Sequence, residues 1–438
     1  MITVRDPLWD TIRIDPVARR VVDTPTFQRL RYIRQLGHAH LVYPGAVHTR
    51  FDHAVGVYHL AQRALHILGE RGGLERIDAE DCRLIPLGAL LHDVGHYPFS
   101  HALEELEPGS IPGYHEDLTG RFLARPDVRA ALDGVATDAA TRIEALIRGR
   151  SEHPLQGLVS GSIDLDKIEY LKRDAHFCGV PYGDVDVDRL LHALVLLADP
   201  ITGRLEVGVH EKGVAALESL LFAKYQMFRN VYWHHAVRAA TVLYKRVVAD
   251  ALHQGLVTGD ELVGATDEGL MHLLETRAAA RGGEGRFGIS DGVTALRERR
   301  LPKRAAEVPA ADLDESRVGD WIVTDTSLKR EVDDRLAEEL DLPAGAAFVD
   351  YPEKSMMFGL NLLVLRRSGE VLRLGPEGRA GLIGLPEVAA ELYRSARVLR
   401  LFTLGGRREV EARALARLAQ QAPESVRAAL DSGAALLG

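Results

Sequence analysis

Apolar residues in the first half of the chain recur with the period of a helix. Val57, Leu60, Ala61, Ala64, Leu65 and Leu68 fall at i, i+3, i+4 spacing between His53 and Gly69, which predicts a helix with one buried stripe, stopped by the glycine. A second helix is expected from Ile77 to His92. Asp78 suits its N-cap, and its second half, LIPLGALL, is apolar enough for deep burial. Pro86 inside it predicts a kink or a late start. Glu211–Leu252 reads as a long helical stretch broken near Asn230, beside a strand at Arg204–Val209.

Beyond residue 280 the pattern changes. RGGEGRFG (281–288) is glycine-rich and polar, the composition of a loop or junction. Asn361–Arg367 and Glu370–Leu374 flank Ser368-Gly369 as a β-hairpin, and helices at Leu385–Ser395 and Arg407–Gln421 bracket a strand at Val398–Thr403. The fold expected is mostly α: a helical core over residues 1–270, a helical or loop connector at 271–310, and a smaller α+β C-terminal domain at 311–438 concerned with assembly or regulation.

Composition narrows the class. At 438 residues the chain is too long for one ordinary core, and 46% hydrophobic with 27% charged residues is usual for a globular protein. MITVRDPLWDTIRID has no apolar core, so no signal peptide is read, and Leu190–Ala198 is far short of the roughly 18 residues that span a bilayer. Two cysteines, Cys82 and Cys178, make no disulfide framework, and a cytoplasmic location is the expectation. A net charge of −9 argues against a broad nucleic-acid footprint and leaves room for a metal ion or a metal-bound nucleotide.

Chemistry is concentrated early. Ten of the 18 histidines lie between His38 and His115, and none follows His272. Three segments stand out: HTRFDHAVGVYHLA (48–61), LLHDVGHYPFSH (90–101) and SIDLDKIEYLKRDAH (162–176). His92-Asp93 closes a strongly apolar helix, where an unpaired carboxylate costs several kcal/mol, about the size of a buried lone charge. With His53 and Asp166, the pair offers two imidazoles and two carboxylates, a donor set suited to Mn²⁺, Fe²⁺, Co²⁺, Ni²⁺ or Zn²⁺ rather than to Mg²⁺, which prefers all-oxygen shells. Either histidine alone reads more readily as a satisfied core residue; the four together read as a site.

These segments resemble the HD superfamily, whose H…HD…D pattern falls here on His53, His92, Asp93 and Asp166. The closer similarity is to the deoxynucleoside triphosphate (dNTP) triphosphohydrolases, the bacterial dGTPase-like and SAM-and-HD-domain enzymes. It runs from DTPTFQRLRYIRQLG (23–37) through PGA (44–46), TRFDH (49–53) and HDVGHYPFSH (92–101) to DLDK (164–167), covering roughly residues 5–240. The resemblance implies that the helical core is an HD-domain phosphohydrolase core holding one divalent metal, with Mg²⁺ accompanying the nucleotide. It implies water attack on the α-phosphorus of a dNTP, with triphosphate as product.

By the same resemblance, His96, His101, Glu104 and His115 line the α-phosphate and carry acid–base catalysis, with His101 or His115 protonating the leaving 5′-oxygen. Arg50 would clamp a phosphate and Lys167 would contact one, while Tyr170 and Asp174 would hold the sugar. Positions 167, 170 and 174 fall at i, i+3, i+7 on one helical face. Gln35 and Leu36 match positions that touch base and sugar, and Arg229 matches another phosphate-contacting arginine. Asp23, Gln28 and Arg31 match a site for a nucleotide activator, with Arg299 and Lys303 resembling the basic segment on the partner side; the implication is a homo-oligomer, dimer or tetramer.

The resemblance departs at Val237-Arg238. Relatives with the best-defined triphosphohydrolase activity carry tyrosine then glutamine there, the tyrosine packing beneath the sugar. This leaves sugar discrimination and phosphate-chain length open. Two alternatives stand: an HD-type nucleotide phosphomonoesterase or phosphodiesterase with the same metal site, and a nucleotide sensor whose site is vestigial.

Overall fold

The computed structural model describes residues 1–107, 109–136, 138–280, 287–314, 318–352, 360–375, 392–406 and 408–438. It opens on an antiparallel hairpin, β1 (Ile2–Asp6) and β2 (Asp10–Ile14), paired from Ile2↔Ile14 to Asp6↔Asp10. Asp6 accepts the amides of Leu8 and Trp9 in the turn, which fixes Trp9 against the helical body.

Helix α1 (Arg50–Glu70) starts before the apolar stripe does. Thr49 caps it, and Thr49 and Asp52 form a reciprocal capping box, so His53 sits in the first turn with its side chain inward. Helix α2 (Ala79–Leu91) begins on the Asp78 cap and contains Pro86 without ending there; every residue from Leu84 to Leu91 is buried. His92 follows at its C-terminus. Helix α3 (His115–Leu123) comes next, and α4 (Leu165–Cys178) is capped by Asp164 and stopped by Gly179 at φ +67°. The break near Asn230 is a π-helical turn, Phe228–Tyr232, between α5 (Val214–Met227) and α6 (His235–His253). Helices α7 (Asp267–Ala279) and α8 (Ile289–Arg297) pack on α6.

Strands β3 (Leu194–Ala198) and β4 (Leu205–His210) form a hairpin that β7 (Leu362–Leu365) and β8 (Val371–Leu374) extend into one sheet, ordered β3-β4-β7-β8. The β4–β7 pairing is parallel, with Gly208 opposite Leu363. A side chain at Gly208 would place its Cβ 2.4 Å from the Leu363 carbonyl oxygen, so the register needs glycine there. A second sheet, β5 (Lys303–Pro309), β9 (Val398–Thr403) and β6 (Ala347–Asp350), is antiparallel in the order β5-β9-β6 and packs against α9 (Thr326–Glu339). The fold is thus mostly helical, with a smaller strand-containing C-terminal region; most buried apolar side chains form one large core from Ile12 to Leu436, with two small clusters beside it around Trp233 and around Val237.

Of the C-terminal helices expected from the sequence, Arg407–Gln421 corresponds to Ala412–Ala419. Leu385–Ser395 lies outside the described residues up to 391, as does the glycine-rich loop over 281–286. No helix among the described residues is long and apolar enough to cross a membrane.

Candidate active site

Helices α1, α2 and α4 bring four side chains to one point. His53 Nε2 lies 2.9 Å from Asp166 Oδ1 and 3.2 Å from His92 Nε2, and His92 Nε2 lies 3.5 Å from Asp166 Oδ1. Asp93 closes the group, 3.2 Å from His92 and 3.6 Å from His53. Bonds of about 2.1 Å to a common ion put neighbouring donors about 3.0 Å apart in an octahedron and about 3.4 Å apart in a tetrahedron. The spacings among His53, His92 and Asp166 fit a divalent ion, and Asp93 adjoins them with Oδ1 toward His92 and Oδ2 toward His53.

Both imidazoles are oriented to present Nε2. His53 Nδ1 donates to Glu169 Oε2 at 2.7 Å, and His92 Nδ1 donates to the Ala89 carbonyl at 2.8 Å. Glu169 is one turn after Asp166 and fully buried, and its other oxygen accepts Arg173 Nε and Trp9 Nε1, each at 2.8 Å. Arg173 reaches on to Asp6 at 2.9 Å. Burial pushes the Glu169 carboxyl up, but Arg173 and His53 outweigh it and hold the group down to about 2. Burial likewise opposes a proton on His53, yet Asp166 and Glu169 prevail and raise it to about 10, so an incoming ion must displace a proton.

Arg50 has its guanidinium buried. It donates through Nη1 to Asp93 at 2.7 Å, through Nε to Ser100 Oγ at 2.9 Å, and through Nη2 to the Gln35 carbonyl at 3.4 Å. Burial would raise Asp93, but Arg50 and the adjoining histidines hold it well below the usual carboxylate range.

A second cluster adjoins the first. His96, His101, Glu104 and His115 have donor atoms within 4.8 Å of one another. Glu104 accepts from His115 Nδ1 at 2.6 Å, from the His115 amide at 2.9 Å and from His101 Nδ1 at 2.8 Å. His96 is fully buried, stacks on His115 with ring centroids 3.8 Å apart, and reaches Asp93 at 3.1 Å. Burial and Arg50 hold His96 well below its ordinary value, a neutral ring. Burial also works against a His115 proton, but Glu104 outweighs it and raises that group. A carboxylate serving two imidazoles, one of them 61% exposed at His101, is an arrangement for passing a proton to something bound outside it.

Along α4, Lys167 is paired with Asp164 and donates to the Gly161 carbonyl at 2.8 Å. Burial and neighbouring Lys167 push the Lys224 ammonium, on α5, down to about 8. Tyr170 lies between His53 and Tyr232, with centroids 6.5 Å from each. Asp174 is buried, takes His48 Nε2 at 2.8 Å and accepts from the Tyr232 hydroxyl at 2.7 Å. Gln35 is buried with no partner for its Oε1 among the described residues, Leu36 is partly buried against Ala39 and Val237, and exposed Arg229 donates to the Tyr225 hydroxyl at 2.8 Å.

The basic and regulatory candidates lie at the surface. Exposed Arg31 donates to Gln28 Oε1 at 2.8 Å and rests 3.5 Å over the Phe51 ring, while Asp23 pairs with Arg19 at 3.3 Å. Arg299 donates to the Leu41 carbonyl at 2.6 Å and, with Lys303, His235 and Arg304, walls a cavity of about 220 Å³. Arg238 is buried, gripping Glu105 at 2.7 and 2.8 Å and Asp350 at 2.5 and 3.0 Å. It ties α6 to β6 and is thereby withdrawn from any sugar.

Sequence reasoning missed Glu169, Arg173, Trp9, Asp6, His48, Tyr232 and Lys224. Only Glu169 carried a usable signal, a carboxylate one helical turn from a candidate ligand.

Residues 50–149 match the family described as HD domain, and residues 185–377 match the one described as HD associated region. An uncharacterised protein of Methanocaldococcus jannaschii is 34% identical over 275 residues, 63% of this chain and 55% of that protein. Human deoxynucleoside triphosphate triphosphohydrolase SAMHD1 is 29% identical over 266 residues, 53% of this chain and 42% of that one. The chain thus spans about half the length of these curated relatives. The solved structure of a hypothetical protein from Aquifex aeolicus superposes with a TM-score of 0.67 at 27% identity, over 92% of this chain and 96% of that chain.

Proposed function

Because the chain belongs to the HD superfamily of phosphohydrolases, we propose that it hydrolyses a deoxynucleoside triphosphate to the deoxynucleoside and triphosphate. The observation that carries this reading is the convergence of His53, His92, Asp93 and Asp166 beside a Glu104-linked set of imidazoles and the Lys167 ammonium. A divalent ion held by the four ligands supplies Lewis acidity, acidifying water and neutralising phosphoryl charge.

The rest falls to side chains. Lys167 and Lys224, from α4 and α5, offset phosphate charge. Tyr170 and Asp174 form the wall toward the sugar, with His48 and Tyr232 holding the Asp174 carboxylate still. Gln35, Leu36 and Arg229 frame base and phosphate. Water oxygen bonds to the α-phosphorus as the bond to the 5′-oxygen breaks, and His101 or His115, backed by Glu104, returns a proton to that oxygen. Arg50, buried and committed to Asp93, Ser100 and the Gln35 carbonyl, fixes Asp93.

A second reading, phosphomonoester or phosphodiester hydrolysis at the same metal site, is favoured by one observation. Arg238 is committed to Glu105 and Asp350, so the 237–238 pair offers no polar group to a deoxyribose. Protein loaded with Mn²⁺, Fe²⁺, Co²⁺, Ni²⁺ or Zn²⁺ and given the four dNTPs, GTP, dAMP and bis(p-nitrophenyl) phosphate separates the two. Triphosphate release is expected; phosphate or nitrophenol alone selects the second reading, and inactivity with every metal removes both.

Asp23, Gln28 and Arg31 on one face, and Arg299 and Lys303 at the basic cavity, are consistent with a nucleotide activator held between copies of the chain in a dimer or tetramer. Arg31→Ala is then expected to lose activation by added nucleotide with metal content unchanged. Retained activation would remove this part of the reading.

A further inference from the structure

Three of the four metal ligands, His53, His92 and Asp93, sit within the segment matched as an HD domain and Asp166 follows it, yet two buried charges bind that segment to the start of α7, at Ala265–Asp267, inside the associated region. Asp267 opens α7 and is 2% exposed. Its Oδ1 accepts the Phe99 amide at 2.7 Å, and its Oδ2 accepts the Arg34 amide at 3.0 Å and Arg34 Nη1 at 3.3 Å. One carboxylate thus holds the two loops, 33–37 and 97–101, that flank Arg50.

The loop held by Asp267 is in a conformation that side chains resist. Phe99 and Ser100 are consecutive left-handed residues, at φ +56° and +59°, and neither is glycine. That turn aims the Ser100 hydroxyl, which donates to the Arg34 carbonyl at 2.8 Å and accepts Arg50 Nε at 2.9 Å. Arg50 in turn holds Asp93 at 2.7 Å. Arg29 makes the matching grip from the other side. It donates to the carbonyls of Val94 at 2.8 Å, His96 at 3.1 Å and Ala265 at 3.0 Å, and so ties the residues around Asp93 to the same helix start.

We infer that Asp267, with Arg29, is a positioning residue for the metal site, acting through the Phe99–Ser100 turn and Arg50 on Asp93, so that the associated region completes the active centre. The inference rests on the reading of His53, His92, Asp93 and Asp166 as metal ligands. Neither Asp267 nor Arg29 touches a candidate metal-binding atom, and Asp267 reaches Asp93 only through Ser100 and Arg50. Burial raises the Asp267 carboxyl to about 6, a penalty that an apolar residue at this position would not carry.

The test uses the full-length chain, with Asp267→Asn, Ser100→Ala and the double variant titrated with Co²⁺ and followed by the d–d absorption of the bound ion. Each single variant is expected to bind Co²⁺ about tenfold more weakly, with an altered spectrum, as outer-shell changes do. The double variant is expected to be no weaker than the worse single one, since both changes break one chain of contacts. A wild-type Co²⁺ affinity and spectrum in Asp267→Asn overturns the proposal, as do losses that multiply in the double variant. If Asp267→Asn does not fold, Ser100→Ala, which removes one hydroxyl, decides alone: unchanged Co²⁺ binding there overturns it. Failure of the wild-type protein to bind Co²⁺ removes the metal reading and this inference together, whereas wild-type binding with unaffected variants removes only the inference.

Discussion

Glu169→Gln is the substitution that most directly probes how the metal site is built. The side chain keeps its volume, but the amide has one acceptor oxygen where the carboxylate has two. In the structure both oxygens are in use: His53 Nδ1 donates to one at 2.7 Å, and Arg173 Nε and Trp9 Nε1 donate to the other at 2.8 Å. The amide therefore turns an N–H₂ toward at least one donor, and His53 loses the anion that fixes its Nε2 toward the ion. The carboxyl is held from an ordinary 4.5 down to about 2, which corresponds to about 3 kcal/mol of stabilisation of its charge. A depressed acid contributes stability above its unfolded value and loses it as pH falls toward the folded one. The contribution is therefore complete at pH 7 and lost between about pH 4.5 and 2. Arg173 keeps Asp6 at 2.9 Å, so its charge is not stranded and unfolding outright is not expected. Metal affinity is expected to fall about 10- to 100-fold, the usual effect of removing a ligand's outer partner. Calorimetric titration of Mn²⁺ or Co²⁺ at pH 7.5, beside urea unfolding at the same pH, measures both effects. A metal affinity within twofold of wild type would refute the argument that Glu169 orients His53.

Arg238→Ala removes the buried cation that joins Glu105 on the helical body to Asp350 on β6. Glu105 keeps Lys245 at 2.6 Å but the buried Asp350 loses this partner, and a loss of about 3 kcal/mol is expected in urea unfolding, with a wild-type curve counting against the tie. Asp267 gives a pH signature of opposite sign to Glu169. Its folded value, about 6, lies above its ordinary 3.8, so the folded state binds the proton more tightly and gains stability as pH falls through 6. The stability difference between wild type and Asp267→Asn is expected to shift by about 2 kcal/mol in favour of wild type between pH 7.5 and pH 4; parallel curves would contradict the burial argument. Dialysis against dipicolinate is expected to abolish hydrolysis and Co²⁺ or Mn²⁺ to restore it, with proton release on rebinding detectable in weakly buffered solution. Activity that survives chelation would exclude the metal site as its source.

What the chain disclosed beforehand was the inner layer. His53, His92, Asp93 and Asp166 could be picked out because each stands in a local pattern, at a helix start, a helix end or a carboxylate-rich segment, that a neighbour within a few residues makes unusual. The helical elements were legible for the same reason: periodicity and caps such as Asp78 act over one or two turns. Thr49 moved the start of α1 three residues ahead of His53, because a capping box overrides where the apolar stripe begins. The β-hairpin at residues 362–374 was readable from its turn, but its parallel pairing with β4 was not. That register depends on Gly208 meeting Leu363 about 155 positions away, a close approach with no local trace.

The outer layer was illegible on physical grounds that the site itself explains. An imidazole that binds through Nε2 needs only some acceptor at Nδ1, and the fold can supply it from any element: a carbonyl three residues back for His92, a carboxylate 116 positions on for His53. A buried carboxylate then needs donors of its own, and Glu169 draws them from Arg173 on its own helix and from Trp9 in the N-terminal turn. The steps outward relax the demand on residue type and take partners from any separation, from three positions between His92 and Ala89 to 168 between Phe99 and Asp267. Local patterning can therefore name the atoms that would grip an ion. Which distant charges hold those atoms at bonding distance is decided by packing alone, and it is there that the associated region meets the HD domain.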